Sequence, residues 1–261
     1  MAAMLLAIDI GNTNVTLGVF SGERLVATAR VATEPGRMAD EYGLTLSQIL
    51  PAKGVAIEQV DAIAMCSVVP PLTPTFAALC AEYFAVEPLV VGAGVRTGVR
   101  VLYDNPRDVG SDRIADAVAA FHLHGGPTIV VDFGTATVFD AISATGEYVG
   151  GAIAPGITVA ADSLFHATSQ LRRVELVRPK DAIGKNTVHS LQSGLVLGYA
   201  ELVKGMVRRF TEELGSPDGK RATIIATGGL APLIQAETDI FDTVDPDLTL
   251  KGLRIIHELN Q

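Results

Sequence analysis

Two short stretches of the sequence place an aspartate two residues before a glycine. Asp9 opens "DIGNTN" and Asp132 opens "DFGTAT", and an apolar run precedes each of them. A carboxylate at the end of a strand can hold a cation against phosphates, and a turn with unobstructed N–H groups can wrap phosphate oxygens. Gly11 permits backbone conformations that are closed to other residues. The alternative is a plain hairpin turn, in which Gly and Asn serve the backbone geometry alone.

The two stretches are two copies of one pattern. Aligning Asp9 with Asp132 also aligns Gly11 with Gly134, and an apolar strand, a polar turn and a second apolar strand occur in both copies. This repeat favours phosphate binding over a plain hairpin, and it predicts that both carboxylates lie close to the same phosphates and cations. A protein kinase is excluded, because D-F-G stands without the glycine-rich loop, the V-A-I-K lysine and the H-R-D segment.

A third stretch, "DNPRDVGSDRIADAVAAF", places Asp112 and Arg113 at the start of a predicted helix. Asp112 is either a first-turn residue that complements the helix dipole or a general base for a phosphoryl acceptor. Arg113 either pairs with a phosphate or an acidic substrate, or is an ordinary surface arginine.

Two further glycine-containing segments allow a structural and a functional interpretation. In "GKNTVHSLQSG", Thr187 or Ser190 could cap the long helix that comes next. The Gly-Gly turn in "ATGGL" is either a tight connection between a strand and a helix or a close approach to the adenosine ring.

Composition argues against several classes of protein. The 261 residues carry a formal net charge of −9 and no Lys/Arg cluster, so a nucleic-acid binder is not expected. Cys66 and Cys80 lie in apolar surroundings typical of core residues in a reducing compartment, and the five histidines form no zinc motif. The apolar start is expected to be a buried strand rather than a signal peptide, and no apolar run approaches the roughly 18–20 residues of a membrane span. These observations predict a cytoplasmic protein.

The pattern of apolar residues predicts an α/β protein. Three antiparallel strands open the chain, and a helix is expected from about Met38 to Leu50. Strand, helix, strand and helix come next, and the strand–turn–strand–turn–strand pattern then restarts at "PTIVVDFG". A helix, an extended "VELVRP" segment, a long helix interrupted near Gly194 or Gly198, a strand and a last helix complete the second half.

The whole set of motifs resembles the type III pantothenate kinases. The pieces that carry the resemblance are "DIGNTN", "YDNPRDVGSDR", "DFGTATVFD", "GGAIAPGI", "IGKNTVHSLQSGLVLGY" and "ATGG". They occur in the order of the family and span nearly the whole chain. The resemblance implies phosphorylation of pantothenate by ATP to 4'-phosphopantothenate, the first step of coenzyme A biosynthesis. It implies two similar actin-like, ribonuclease H-like halves, each a mixed sheet with flanking helices, that face each other across a nucleotide cleft.

The resemblance also implies site residues. The ATP-binding residues would be Asp9, Ile10, Gly11, Asn12, Thr13, Asn14, Val15, Thr16 and Thr135. The pantothenate-binding residues would be Tyr103, Gly110, Ser111, Asp112, Arg113 and Thr187. Asp112 would be the proton acceptor, and Asp132 would bind a monovalent cation, K⁺ or NH₄⁺, beside the Mg²⁺ that accompanies ATP. Ser111 stands where the family often has Ala, a difference that we expect to leave the chemistry undisturbed.

Further expectations concern organisation. An N-terminal domain of residues 1–117 would contain the phosphate turn 9–16 and the acceptor-side segment 103–113, and a C-terminal domain of residues 118–261 would contain the turn 132–137. The family resemblance implies a homodimer with sites near its interface, and no membrane or nucleic-acid partner. A helix N-terminus would lower the pKa of Asp112. The alternatives are another small-molecule kinase of the same superfamily and a non-enzymatic accessory transcription regulator.

Overall fold

The computed structural model describes residues 4–215 and 219–261. The strands are β1 (Met4–Ile10), β2 (Asn14–Ser21), β3 (Arg24–Ala32), β4 (Val60–Ser67), β5 (Leu89–Val90), β6 (Arg100–Val101), β7 (Thr128–Phe133), β8 (Ala136–Ile142), β9 (Glu147–Pro155), β10 (Thr223–Thr227) and β11 (Thr243–Val244). The α-helices are α1 (Ala39–Ala52), α2 (Leu72–Phe84), α3 (Ser111–His124), α4 (Ile157–Ala167), α5 (Thr187–Gln192), α6 (Gly198–Leu214), α7 (Ala231–Gln235) and α8 (Leu248–Leu259).

The chain divides into two compact units. The first runs to Ala119 and takes in Leu248–Gln261, and the second is Ala120–Asp247. The division lies within α3, close to the predicted boundary after residue 117. The prediction that residues 248–261 belong to the C-terminal domain is wrong, because α8 packs on β1, β4 and β2 of the first unit.

The first unit contains a mixed sheet in the order β3-β2-β1-β4-β5. Strands β1, β2 and β3 pair antiparallel, and β4 and β5 add in parallel. One face of the sheet carries the large core that α1 and α2 cover, with Ile8, Leu17 and Tyr42 fully buried in it. Gly18 follows Leu17 on β2 and therefore faces the opposite side of the sheet. Because Gly18 has no side chain, Leu250 of α8 can approach the sheet closely there. Helices therefore flank both faces of the sheet.

The second unit repeats this strand order. Its strands lie in the order β9-β8-β7-β10-β11, in which β7, β8 and β9 pair antiparallel and β10 and β11 add in parallel. A second apolar core lies between this sheet and α6, with Val131, Phe139 and Val203 among its buried members. Five strands of each sheet thus share one topology, which confirms the α/β fold with two similar halves.

Several predicted elements differ in detail. The long helix of the second unit is interrupted by a π-helical turn at Ser193–Leu197, close to the predicted glycines. Its N-cap is Asn186, whose side chain accepts a hydrogen bond from the N–H of His189, so neither Thr187 nor Ser190 is the cap. The predicted extended segment "VELVRP" forms no strand. Within the described residues, none of the helices has the length and apolar character required to span a bilayer.

Candidate functional site

The predicted phosphate turn connects β1 to β2 and is open to solvent. Gly11 N donates to Asn14 O at 3.0 Å, and the side chains of Asn12, Thr13 and Asn14 are exposed. Gly11 does not adopt the left-handed conformation for which the sequence predicts a glycine; a Cβ there would instead lie 3.1 Å from the Asn14 carbonyl. The turn therefore needs glycine for a close backbone approach.

The residues that flank this turn have separate roles. Ile10 and Val15 are fully buried in the core, so only their backbone can contact a ligand. Thr16 lies opposite Asp9 in the antiparallel pair of β1 and β2. Of the predicted ATP-binding residues in the first unit, the exposed side chains are thus those of the turn itself.

The surroundings of the Asp9 carboxyl group disfavour its negative charge. The Sγ of Cys66, its neighbour on the parallel strand β4, donates to Asp9 Oδ1 at 3.4 Å. Burial raises the pKa of Asp9 to about 7, and the negative charge of Asp112 adds to the increase; the Cys66 hydrogen bond and Arg30 oppose it. Asp9 and Asp112 therefore interact electrostatically inside the first unit.

The end of β4 connects the phosphate turn to the start of α3. Val68 N donates to Ile10 O at 3.1 Å. Ser111 Oγ accepts from Ser67 N and can donate to Ser67 O, both at 3.1 Å. The sequence predicts that Ser111 is a neutral replacement for Ala, but its hydroxyl contributes a link between β4 and α3 that Ala cannot make.

Asp112 lies in the first turn of α3, with its Oδ1 accepting the N–H of Arg113 at 2.8 Å. The prediction that the helix terminus lowers the pKa of Asp112 is wrong. Burial raises its pKa above the ordinary value, and the hydrogen bond and charge of Arg113 offset only part of this. Because a raised pKa makes a carboxylate a stronger base, Asp112 suits proton abstraction better than the sequence indicated.

Gly110 and Arg113 of the predicted acceptor segment adjoin Asp112. Arg113 is buried, which excludes an ordinary surface arginine. Gly110 leaves room for the Asp112 carboxylate, since a Cβ there would contact it and Val68. Tyr103 is partly buried in the stretch that leads to this segment.

Helix α8 supports α3 from the side. Thr249 Oγ1 donates to Oδ1 of the buried Asp116 at 2.7 Å, one helical turn beyond Asp112. Gly252 packs directly against the backbone of Ala115, where a side chain would collide. The C-terminal helix thereby fixes the part of α3 that presents Asp112.

The second unit contains the other predicted residues. Asp132 is partly buried near the end of β7, and Thr135 is exposed in the turn after this strand. Gly134 N donates to Ala136 O at 3.0 Å and closes this turn. Gly228 of the "ATGG" segment has a φ of +87° and packs on the Phe133 backbone, which fits a tight connection between β10 and α7.

Thr187 is the exposed first residue of α5, also in the second unit. The predicted site residues thus fall into a set in the first unit, which surrounds Asp9 and Asp112, and a set in the second unit, which comprises Asp132, Thr135 and Thr187. That Asp9 and Asp132 bind the same phosphates stays a prediction.

The structure adds residues that the sequence did not single out. Thr33 Oγ1 donates to Gly11 O at 2.6 Å, and Cys66 contacts Asp9. The sequence indicates only a core position for Cys66, and no local pattern marks Thr33, whose contact spans 22 residues of sequence.

Asp132 is the carboxylate that the sequence predicts as a cation ligand. Within residues 4–215 and 219–261, no group of three or more His, Cys, Asp or Glu side chains could hold a metal ion. A dedicated protein cage for a divalent ion is therefore not formed by the described residues. Mg²⁺ carried by a nucleotide is bound through one or two carboxylates together with the phosphates, so it does not require such a cage.

Comparison with known proteins gives the family. A sequence model of the family described as type III pantothenate kinase matches residues 5–209. The type III pantothenate kinase of Roseiflexus castenholzii is 54% identical over 258 residues, covering 99% of this chain and 100% of the relative. The chain belongs to the type III pantothenate kinase family. The family member of Moorella thermoacetica is 50% identical over 257 residues, with 98% and 100% coverage.

Solved structures support the fold of this kinase family member. A protein from Campylobacter jejuni, described as a Baf family transcriptional activator, is 21% identical with a TM-score of 0.62, over 98% of both chains. A 2-dehydro-3-deoxygalactonokinase protein from Sinorhizobium meliloti is 14% identical with a TM-score of 0.59, covering 98% of this chain and 96% of that one. At these identities the likeness concerns the fold alone.

Proposed function

We propose that the chain transfers a phosphoryl group from ATP to the hydroxyl of pantothenate and forms 4'-phosphopantothenate, the first step of coenzyme A biosynthesis. Full-length relatives at 50–54% identity support the substrate pair. The observation that carries the chemistry is the partly buried Asp112 carboxylate, held at the start of α3 and in electrostatic contact with Asp9.

The exposed turn of Asn12, Thr13 and Asn14 binds the phosphates of ATP through N–H groups and short polar side chains. Asp112 accepts the hydroxyl proton of pantothenate. Arg113 and Ser111 fix the direction of that carboxylate, the first through its N–H and charge and the second through Ser67. Most of the rate enhancement then comes from positioning and from charge neutralisation.

Asp132 contributes its carboxylate to a monovalent cation, K⁺ or NH₄⁺, and Thr135 contacts the nucleotide. The cation held by Asp132 and the Mg²⁺ that accompanies ATP would supply neutralisation of the phosphate charge. Tyr103, Gly110 and Thr187 line the pantothenate site in this proposal. The two free, buried cysteines fit a reducing compartment, and we place the enzyme in the cytoplasm.

A coupled ADP-release assay tests this function. With Mg-ATP and KCl, we expect ADP formation that depends on pantothenate and falls when NaCl replaces KCl. A panel of sugars and small hydroxy acids in place of pantothenate should give no turnover. Turnover with a panel member alone would indicate another kinase of the superfamily, and nucleotide binding without turnover would indicate a non-enzymatic role.

We also propose that the enzyme is a homodimer whose interface includes α4. Within Ile157–Ala167 only Ile157 is fully buried, while Val159, Leu164 and Phe165 are 44%, 38% and 37% exposed. An apolar helix face of this kind is typical of a protein contact, and a second copy of the chain is the partner that the family resemblance implies.

Sedimentation analysis tests the dimer. The wild type should sediment at twice its 27.3 kDa mass, and Leu164→Glu should sediment as a monomer. Leu44→Glu is the matched control, because Leu44 is 59% exposed on α1 of the first unit. A monomeric wild type at micromolar concentration, or a dimer in the Leu164 variant, would contradict the proposal.

A further inference from the structure

The end of β3 holds the phosphate turn by two hydrogen bonds from one residue. Thr33 Oγ1 donates to Gly11 O at 2.6 Å, and Thr33 N donates to Thr13 O at 3.0 Å. The turn itself is exposed, so packing does not set its conformation. These two bonds therefore fix the orientation of two successive parts of the turn.

Planarity of the peptide bond gives these bonds a consequence for ligand binding. In a trans peptide the N–H points opposite to the preceding carbonyl. Because the carbonyls of Gly11 and Thr13 point to Thr33, the N–H groups of Asn12 and Asn14 point away from it. The result is a pair of preoriented donors, which is what a phosphate-binding turn requires.

The backbone on either side of Thr33 is held by a residue of the core. Glu34 N donates to the hydroxyl of the fully buried Tyr42 at 2.9 Å, and that hydroxyl lies 3.3 Å from Ala32 O. The Tyr42 ring packs on Phe76 with ring centroids 4.8 Å apart. Tyr42 thus connects the segment around Thr33, at the end of β3, to the core between the sheet, α1 and α2.

We propose that Thr33 is a positioning residue for the phosphates of ATP, supported by Tyr42. This inference rests on the proposed function of the turn of residues 9–16. Thr33 touches the turn and not the reacting atoms, so its loss weakens nucleotide binding without altering the pantothenate site.

Three variants and a control test this proposal. Thr33→Val removes the hydroxyl at nearly constant volume, Thr33→Ser retains it, and Tyr42→Phe removes the anchor. Thr28→Val is the matched control, since Thr28 is exposed on the same strand. The readouts are the Kd of a non-hydrolysable ATP analogue with Mg²⁺, measured by calorimetry, and the KM values of both substrates.

We expect Thr33→Val to raise the nucleotide Kd and the KM for ATP about two- to tenfold, the worth of one hydrogen bond. The KM for pantothenate should stay within about twofold. Thr33→Ser and Thr28→Val should match the wild type, and Tyr42→Phe should show a smaller change in the same direction. If Thr33→Val does not fold, Thr33→Ala takes its place.

An unchanged nucleotide Kd in the valine or alanine variant would overturn the inference, as would an equal rise in both KM values or a failure of serine to restore binding. The proposed function fails separately. A wild type without pantothenate-dependent turnover whose nucleotide binding still depends on the Thr33 hydroxyl would refute the pantothenate assignment and support the role of Thr33. A wild type that binds no nucleotide would refute both.

Discussion

The turns after β1 and β7 occupy the same place in two sheets of one topology, yet they are held differently. In the first, Thr33 supplies a hydroxyl and an N–H to the turn. The alignment that pairs Asp9 with Asp132 places Gly156 at the position of Thr33. Gly156 N donates to Thr135 O at 3.1 Å, but there is no side chain and no space for one.

The difference comes from the connection between the third strand of each unit and the next helix. Gly156 is the N-cap of α4, so the helix begins directly against the second turn. In the first unit, residues 33–38 separate β3 from α1, and the Thr33 side chain donates a hydrogen bond to the turn. A duplicated fold therefore preserves the strand order and the Asp-Gly position, while the support of each turn is built from the local connection.

The largest expected effect concerns Asp112, the proposed proton acceptor, which lies in the same unit as the first turn. Asp112→Asn should lower kcat by about two to four orders of magnitude, because the amide cannot accept the hydroxyl proton. Nucleotide affinity should stay nearly constant, since the turn of residues 11–14 is unchanged. Steady-state kinetics and calorimetry measure the two quantities, with Glu82→Gln on the exposed face of α2 as control. Normal turnover in the Asn variant would remove Asp112 from the mechanism.

The second prediction concerns Gly156, which has no side chain at the position that Thr33 occupies in the first unit. Gly156→Ala should lower the free energy of unfolding by about 1–3 kcal/mol, because a Cβ there would collide with the backbone of Gly134 and Thr135. Thr33→Ala should cost about 1 kcal/mol, the worth of its hydrogen bond. Urea unfolding measures both.

Gly205→Ala is the control for glycine replacement as such. Gly205 lies in α6 with open space around its Cα, so alanine should stabilise the helix by about 0.5–1 kcal/mol. Equal costs at Gly156 and Thr33 would show that the two turns are supported alike.

These contrasts also show which features the sequence reveals. Alternating apolar residues predict β1, β2 and β3 and their repeat, because the strand period is local. The two-residue strands β6 and β11 leave too short a pattern to recognise. The Thr33 contact and the collision at Gly156 depend on where β3 and β9 end in space.

The pKa of Asp112 was the feature of the site that the sequence predicted least well. A helix N-terminus is visible in sequence, and it predicts a lowered pKa for Asp112. The burial that outweighs it results from tertiary packing around the start of α3. Local sequence therefore gives the residue types of the site and not their solvation.

The third prediction concerns pH. The folded state raises the pKa of Asp9 to about 7, so the folded chain binds more protons than the unfolded chain above the ordinary aspartate pKa. Stability should then fall as pH rises towards 7, by about 1 kcal/mol between pH 5 and pH 6. Urea unfolding of the ligand-free protein at both pH values measures this.

Asp9→Asn should reduce this pH dependence. It should not abolish it, because burial also raises the pKa of Asp112 and acts with the same sign. A slope that is identical in the wild type and the Asn variant would show that Asp9 is solvated like an ordinary aspartate.

The smallest effect concerns the strand neighbour of each aspartate. Asp9 lies beside Cys66 on β4, and Asp132 lies beside Thr227 on β10. The Cys66 thiol lowers the pKa of Asp9, so Cys66→Ala should move the Asp9 titration, followed by carboxyl NMR, upward by less than about one pH unit. Cys66→Ser introduces the hydroxyl donor that the second copy has at this position, and should move the titration downward. Shifts of the same sign in both variants would mean that side-chain volume, and not the hydrogen bond, controls the Asp9 carboxyl.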